Sequence, residues 1–356
     1  MVNASASSSA NGAQQLCFYI PSPLHPEAYT RCEQLGVDVI HPKDPRSKTW
    51  YEYADAIVWR QGKVLEDYGL AKKLKIIARN GTGYDMINVP RCKELGIAVT
   101  NLPGFNAEAV AELTYGLAIS VTRRIVEFDR RLRAGETVPS AHNIGLSLYK
   151  KTVGLVGMGD CAREVALKFY HASKCRILVY SPTSPTTRWT SQSTTPDEPV
   201  IPHTRVDSLD ELLRQSDVVS LHCPAIPDTF EMMSDKQFEL MKQSAVFLNL
   251  GRGELVDEDA LYRACKEHKI YGAGLDCFAV EPVTAATYGD TLFTLDNVVV
   301  LPHVGATTLE VTRDSTVTAV ETAYTYCTRG DIGPSTLIRE LSWEDLSRKP
   351  GFTNQD

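Results

Sequence analysis

The sequence predicts an α/β chain of two doubly wound parallel-sheet domains with a cleft between them. Three observations carry that prediction. Short apolar strand patterns alternate with helical patterns, the rhythm of parallel βαβ units. A long apolar helical stretch from residue 106 interrupts the rhythm, which restarts at 151, so there are two such sets. The 356 residues, 43% hydrophobic and 23% charged, have an ordinary globular composition and length enough for two domains of usual size.

In the first set "LCFYI", "VDVI", "DAIVW", "LKIIA" and "IAVT" are strand patterns, with helical stretches such as "PEAYTRCEQLG" and "VPRCKELG" between them. The interruption, "NAEAVAELTYGLAISVTRRIVEFDRRLRAG" (106–135), has Asn106 to cap it and Gly135 to end it, and its first half is apolar nearly all round. It predicts one long helix buried against something large. The second set holds six strand patterns, "KTVGLVG", "CRILVY", "DVVSLHC", "AVFLNL", "IYGAGLD" and "NVVVLPH", separated by helices such as "AREVALKFYHA", "SLDELLRQ" and "DEDALYRACKEH". Six such strands make a complete dinucleotide-type sheet. The Pro-, Ser- and Thr-rich insertion "PTSPTTRWTSQSTTPDEPVIPHTR" (182–205) reads either as a plain surface loop or as part of a cofactor rim. A final helix is predicted over 307–329.

The net charge of −7 argues against a nucleic-acid surface, which needs clustered Lys and Arg. No apolar run reaches membrane-spanning length. The start "MVNASASSSANGAQQ" lacks the basic and apolar parts of a secretory signal, so residues 1–14 are expected to form a disordered tail. Nine cysteines are scattered singly with no C-x-x-C pair. They read as reduced thiols of a cytoplasmic protein, with neither a disulfide frame nor a metal site.

"VGLVGMGDCAREVA" is a strand, a glycine turn and a helix start. Gly157, Gly159 and Ala162 fit G-x-G-x-x-A: a tight turn, a close backbone approach for a pyrophosphate, and close helix–strand packing. Gly157, Met158, Gly159, Asp160 and Cys161 are therefore candidates to hold a dinucleotide at the helix N-terminus. The next strand ends in Tyr180 and Ser181, where NAD enzymes usually carry an acid. An acid would repel a 2′-phosphate by about 4 kcal/mol at 4 Å with an effective dielectric near 20. Serine removes that repulsion, and Arg188 and Arg205 in the insertion are candidates to pair with the phosphate. The cofactor reading is NADP or NAD, leaning to NADP. The alternative is that Ser181 tolerates both and the arginines are solvated. Asp160 is awkward, because it puts a carboxylate near the pyrophosphate.

Three further stretches lie at the carboxyl ends of strands, where open α/β sheets bind ligands. "NLGRGELVDEDAL" sets Arg252 between two glycines, its planar fork free to grip a carboxylate at two points. "GAGLDCFAVEP" sets Asp276 at a strand end and Glu281 before Pro282. "LPHVGATT" sets His303, which a nearby carboxylate can hold as imidazolium. Each also has a plainer reading, as a turn residue, a loop cap, a surface acid or a core histidine.

These motifs, with "ARNGTGYDMINV" (78–89), "NLPGFNAEAVAELTYGLA" (101–118) and "SDVVSLHCP" (216–224), run in the order of a known family. The chain resembles the D-isomer-specific 2-hydroxyacid dehydrogenases over nearly its whole length after the N-terminal tail. It is most similar to the 3-phosphoglycerate dehydrogenase and hydroxypyruvate/glyoxylate reductase branch. The resemblance implies a flavodoxin-like substrate domain over 15–105 and 325–345, and a Rossmann-type cofactor domain over 106–320. It assigns Arg252 to the substrate carboxylate and carbonyl, His303 to acid–base chemistry and Glu281 to tuning the histidine. It sets Thr82, Gly83 and Tyr84 against the substrate carboxylate, and leaves Arg60 for a phosphate or distal carboxylate, or as a solvated loop residue. Along the cofactor it sets His222, Cys223, Pro224, Thr229, Leu250 and Gly305, with His303 beside them and Asp276 near the nicotinamide amide.

The implied reaction passes a hydride between a nicotinamide cofactor and a 2-oxo acid/D-2-hydroxy acid pair. His303, facing the cleft, supplies the proton. A homodimer with a small-molecule substrate and no metal, membrane or nucleic-acid partner is expected. The other readings are a cofactor-sensing corepressor of the same fold that binds peptides, and a formate- or phosphonate-type dehydrogenase. Glu281 speaks against formate, where the resemblance predicts Gln.

Overall fold

The five strand patterns of the first set each form a strand: β1 (Cys17–Tyr19), β2 (Asp38–Ile40), β3 (Ala56–Trp59), β4 (Ile76–Arg79) and β5 (Ala98–Asn101). All pair in parallel, in the order β5-β4-β3-β1-β2. Helices α1 (Pro26–Gln34) and α2 (Val89–Glu94) lie between strands. Neighbouring residues enter different cores, as strand alternation requires: Ile57 and Ile77 in one, Val58 and Ile76 in the other. A two-residue antiparallel strand, Thr336–Leu337, pairs with β5 and was not legible in the sequence. The computed structural model describes residues 15–60, 67–84, 86–195, 198–333 and 335–338. The expected tail over 1–14, and residues 339–345 of the expected returning segment, lie outside them.

Backbone contacts divide the chain into two units, one running to Pro103 and resuming at Thr312, the other Gly104–Val311. The second unit opens with α3 (Ala107–Thr122) and α4 (Ile125–Arg133). One helix over 106–135 was expected, and this corrects it. Leu146 N–H takes the Thr122 carbonyl at 2.7 Å, ending the ladder, and Arg124 turns left-handed at φ 56°. The buried Glu127 carboxylate then gathers Arg124 at 2.6 Å and Arg131 at 3.2 Å. Asn106 stands at the N-cap position without a side-chain capping bond.

The sheet of this unit has β6 (Thr152–Val156), β7 (Arg176–Tyr180), β8 (Thr204–Arg205), β9 (Val218–Leu221), β10 (Val246–Asn249), β11 (Gly272–Leu275) and β12 (Val298–Val300). Their order is β12-β11-β10-β9-β6-β7-β8, all parallel. The helices are α5 (Asp160–Ser173), α6 (Leu209–Gln215), α7 (Asp235–Leu240), α8 (Glu258–Lys266) and the short α9 (Ala285–Tyr288). Six strands were expected, and the seventh, β8, comes from the end of the insertion. The insertion is not a plain surface loop. Trp189 is fully buried in the core with Val179 and Ile201, and its backbone N–H donates to the Glu198 carboxylate at 2.9 Å.

The last helix, α10 (Leu309–Arg329), starts after Thr308, whose hydroxyl accepts the Val311 N–H at 3.2 Å. Its Ala319, Val320 and Ala323 pack with Phe18 and Val58. The chain therefore rejoins the first unit from Thr312 rather than from 325, because these small buried side chains fit under β1 and β3. Among the described residues no helix is long and apolar enough to cross a membrane.

Candidate active site

The glycine loop is shaped as its motif requires. Gly157 has φ 104°, and a Cβ there would stand 2.4 Å from the His222 carbonyl oxygen. Its N–H donates to Tyr180 O at 2.9 Å and the His222 N–H to Val156 O at 2.8 Å, tying the ends of β6, β7 and β9 together. Gly159 is the N-cap of α5, with open space where its Cβ would be. Met158 and Ala162 are buried. The loop thus offers backbone, and the N-terminus of a 14-residue helix, to a pyrophosphate. Asp160 is less awkward than its position suggested, since Arg163 at 3.2 Å and Arg188 at 3.8 Å take its carboxylate. Cys161 is a packing thiol, pushed up to about 11 by burial.

At the end of β7, Ser181 is buried and its hydroxyl pairs with that of Ser184 at 2.8 Å. Arg205 donates to the carbonyls of Ser181 at 2.6 Å, Pro185 at 2.7 Å and Ser184 at 3.1 Å. These partners are neutral, so the guanidinium brings its charge to the strand end while shaping the loop there. Arg188, by contrast, faces the Glu198 carboxylate at 3.2 Å. The alternative reading of Arg188 as a solvated arginine is corrected: the insertion folds around this ion pair, which engages the guanidinium proposed for a 2′-phosphate.

Beyond β9, His222 Nε2 lies 2.8 Å from the Ser220 hydroxyl, and burial pushes its imidazole down to about 4. It is therefore neutral at pH 7. Thr229 donates to Pro224 O at 2.7 Å and accepts the Ile226 N–H at 2.9 Å, fixing the turn that carries Cys223 and Pro224. Leu250 is buried at the end of β10.

The carboxyl ends of β10, β11 and β12 bring the predicted set together. Arg252 stands in extended backbone; its carbonyl accepts from Asn249 at 2.8 Å, and its guanidinium donates to Gly251 O at 2.8 Å. Gly253 has no room for a side chain, since a Cβ would fall 1.9 Å from the carbonyl carbon of Phe278. Asp276, 1% exposed, accepts the N–H groups of Val304 and Gly305, each at 2.7 Å. A Cβ on Gly305 would sit 2.9 Å from that carboxylate. These two hydrogen bonds hold the turn in which His303 adopts φ 55°.

His303 Nδ1 then lies 2.9 and 3.1 Å from the two Glu281 oxygens. Contact with Cys277, then the Glu281 hydrogen bond, raise the imidazole to about 10 against the opposing effect of burial. Burial works to raise the Glu281 carboxyl, but the His303 bond and charge outweigh it and hold the group low, with Arg252 contributing. The two form a pre-set imidazolium–carboxylate pair.

Sequence reasoning missed Cys277, because a single cysteine among nine carries no spacing signal. It also missed Glu258 and Tyr288. Glu258 accepts the Ala279 N–H and the Tyr288 hydroxyl, each at 2.9 Å, and that hydroxyl accepts the Val280 N–H at 3.1 Å. Together they hold the turn leading to Glu281.

The remaining predicted residues lie in the first unit. Thr82 donates to Leu102 O at 3.0 Å and its carbonyl accepts from Asn101 at 2.7 Å. Arg79, also missed, donates to Gly83 O at 2.8 Å and to the Arg60 carbonyl. It ties the turn after β4 to the end of β3. Tyr84 packs against the core of this unit.

Residues 115–305 match the D-isomer specific 2-hydroxyacid dehydrogenase NAD binding domain. The chain is 37% identical over 308 residues to the hydroxypyruvate reductase of Thermotoga maritima, covering 85% of this chain and 95% of that protein. It is 37% identical over 277 residues to the glyoxylate reductase of Thermococcus litoralis, covering 76% and 79%. The TT0316 protein of Thermus thermophilus has a TM-score of 0.79 at 29% identity, covering 91% of this chain and 100% of that one. The fold is that of nicotinamide-dependent oxidoreductases with a Rossmann-type unit. The chain belongs to the D-isomer-specific 2-hydroxyacid dehydrogenases, which move a hydride between a nicotinamide cofactor and a 2-oxo acid/2-hydroxy acid pair. The Thermotoga and Thermococcus relatives are reductases by name, which does not favour the corepressor reading.

Proposed function

We propose that this enzyme reduces a small 2-oxo acid of the glyoxylate or hydroxypyruvate kind, with Arg252, Glu281 and His303 as its chemical set. The observation that carries the reading is His303 Nδ1 held by both Glu281 oxygens at 2.9 and 3.1 Å. The backbone of Gly157–Cys161, with Ser181, His222–Pro224, Thr229, Leu250 and Asp276, would hold the dinucleotide. Bound there, the nicotinamide supplies or accepts the hydride. Arg252 grips the substrate carboxylate and steadies charge on the carbonyl oxygen. The His303 imidazolium gives that oxygen its proton, and Glu281 keeps the ring charged until then. Main chain at Thr82–Tyr84 is assigned to the substrate carboxylate, and Arg60 to a distal anionic group.

Steady-state rates with glyoxylate, hydroxypyruvate, phosphohydroxypyruvate and branched 2-oxo acids, with NADH and NADPH, test this reading. Arg252→Lys should stay folded and lose most activity, since Lys lacks the planar fork. Near-normal kcat/KM in that variant for a good substrate refutes the grip.

NADP is the preferred cofactor in this reading, supported by Ser181 in place of an acid and by the Arg205 charge beside it. Ser181→Asp should swing the NADPH/NADH ratio of kcat/KM toward NADH. The repulsion of about 4 kcal/mol at 4 Å is about 10³-fold, and shielding by Arg205 should leave roughly 10²-fold. An unchanged ratio would show that this strand end does not select the cofactor.

A cytoplasmic homodimer is part of the proposal. The exposed Ile125, Leu132, Ile144 and Tyr149 along and after α4 support association, and nine free cysteines support a reducing compartment.

A further inference from the structure

Cys277 follows Asp276 at the end of β11 and lies beneath the His303–Glu281 pair. Its Sγ, a Glu281 oxygen and a ring nitrogen of His303 all fall within 4.8 Å of one another. The thiol is buried at 2% exposure, whereas the His303 and Glu281 side chains are 44% and 37% exposed. One ligand type thus forms a floor and two an open rim. Tetrahedral zinc, with sulfur at about 2.3 Å and nitrogen or oxygen at about 2.0–2.1 Å, sets its ligands roughly 3.3–3.6 Å apart. The His303–Glu281 contact need widen by only a few tenths of an ångström from 2.9 Å. Two ligands are already oriented: the thiol donates to Gly251 O at 3.4 Å, and the Glu281 carboxylate accepts the Phe278 N–H at 3.2 Å. Thiolate, imidazole and carboxylate suit zinc and its neighbours far better than magnesium or calcium.

We propose that Cys277, Glu281 and His303 form an inhibitory site for Zn²⁺ or a similar transition-metal ion. The ion forms bonds to Sγ, a ring nitrogen and a carboxylate oxygen, with solvent at its fourth position. The thiol and imidazolium protons pass to solvent, so no oxidant or reductant is involved. The positive Arg252 nearby opposes the ion and keeps the site from holding metal as tightly as a structural one. Inhibition rests on His303 being the proton donor of the reaction; binding does not.

The test adds Co²⁺ to the full-length protein and reads the near-ultraviolet thiolate-to-cobalt charge-transfer band, with Zn²⁺ as competitor. Wild type should show the band and lose it to Zn²⁺. Cys277→Ala and the size-matched Cys277→Val, each checked for fold by circular dichroism, should lack it. Their Zn²⁺ affinity should fall by more than the roughly 10–100-fold that removing an outer-shell partner costs. Zn²⁺ should stop turnover of wild type, and chelation should restore it. No band in wild type, or a band that survives in both variants, overturns the site and leaves the reaction untouched. A competed band with undiminished turnover overturns the inhibition, and with it the role given to His303.

Discussion

Replacing His303 by Asn should lower kcat by roughly 10²–10⁴-fold, the usual worth of general acid–base catalysis, with fold and cofactor affinity kept. Asn is the right replacement because His303 has φ 55°, in the left-handed region where Asn, Asp and His are enriched. Ala is not favoured in that region and would confuse the result with a change in backbone preference. Turnover kept in His303→Asn would make His303 a structural residue. Glu281→Gln gives the companion measurement. The imidazole stands at about 10 through its Cys277 contact and then its Glu281 hydrogen bond. Removing the carboxylate charge lowers that value. Reduction needs the protonated ring, whose activity is lost as pH rises through the pKa, so the alkaline limb moves to lower pH. Oxidation needs the neutral ring, so its activity begins at lower pH. Both shifts, read from kcat/KM against pH, follow from one change. If neither profile moves, Glu281 is not the partner of His303.

Gly253→Ala should damage both stability and catalysis. Its Cβ would enter the backbone of Phe278 and Ala279, at 1.9 and 2.1 Å, and backbone cannot rotate aside. Overpacking costs typically about 1–3 kcal/mol, occasionally more, which in a unit of this size lowers Tm by roughly 2–4 °C per kcal/mol. The displaced strand-end carries Glu281, and Gly253 itself follows Arg252. A shift of about 1 Å at such a site is enough for a 10²-fold loss of kcat/KM. Gly251→Ala is the internal comparison: its nearest neighbour is the flexible end of Leu255 at 3.1 Å, so it should do less harm. A Gly253→Ala protein with the Tm and kcat/KM of wild type would show that this contact does not hold the site.

The sheets were legible because most strands are short apolar runs buried on both faces, and such a run reads locally. The glycine loop was legible for the same reason: Gly157 and Gly159 lie two residues apart between a strand and a helix. Arg252, Glu281 and His303 could be proposed because each sits in a short motif after a strand, and a parallel sheet carries all strand ends to one edge. By itself, then, the sequence determined the α/β architecture, the glycine loop and which side chains are proposed to react. The partners of those side chains were decided only in the tertiary structure. Asp276 is committed to the Val304 and Gly305 N–H groups. Arg188 is committed to Glu198, and Cys277 to the underside of His303 and Glu281. The break at Arg124 likewise depends on Leu146 reaching the Thr122 carbonyl from 24 residues further on. The reason is physical. Strand and helix formation follow from a residue and its near neighbours, whereas a buried polar group takes whichever partner the fold carries to it from distant sequence.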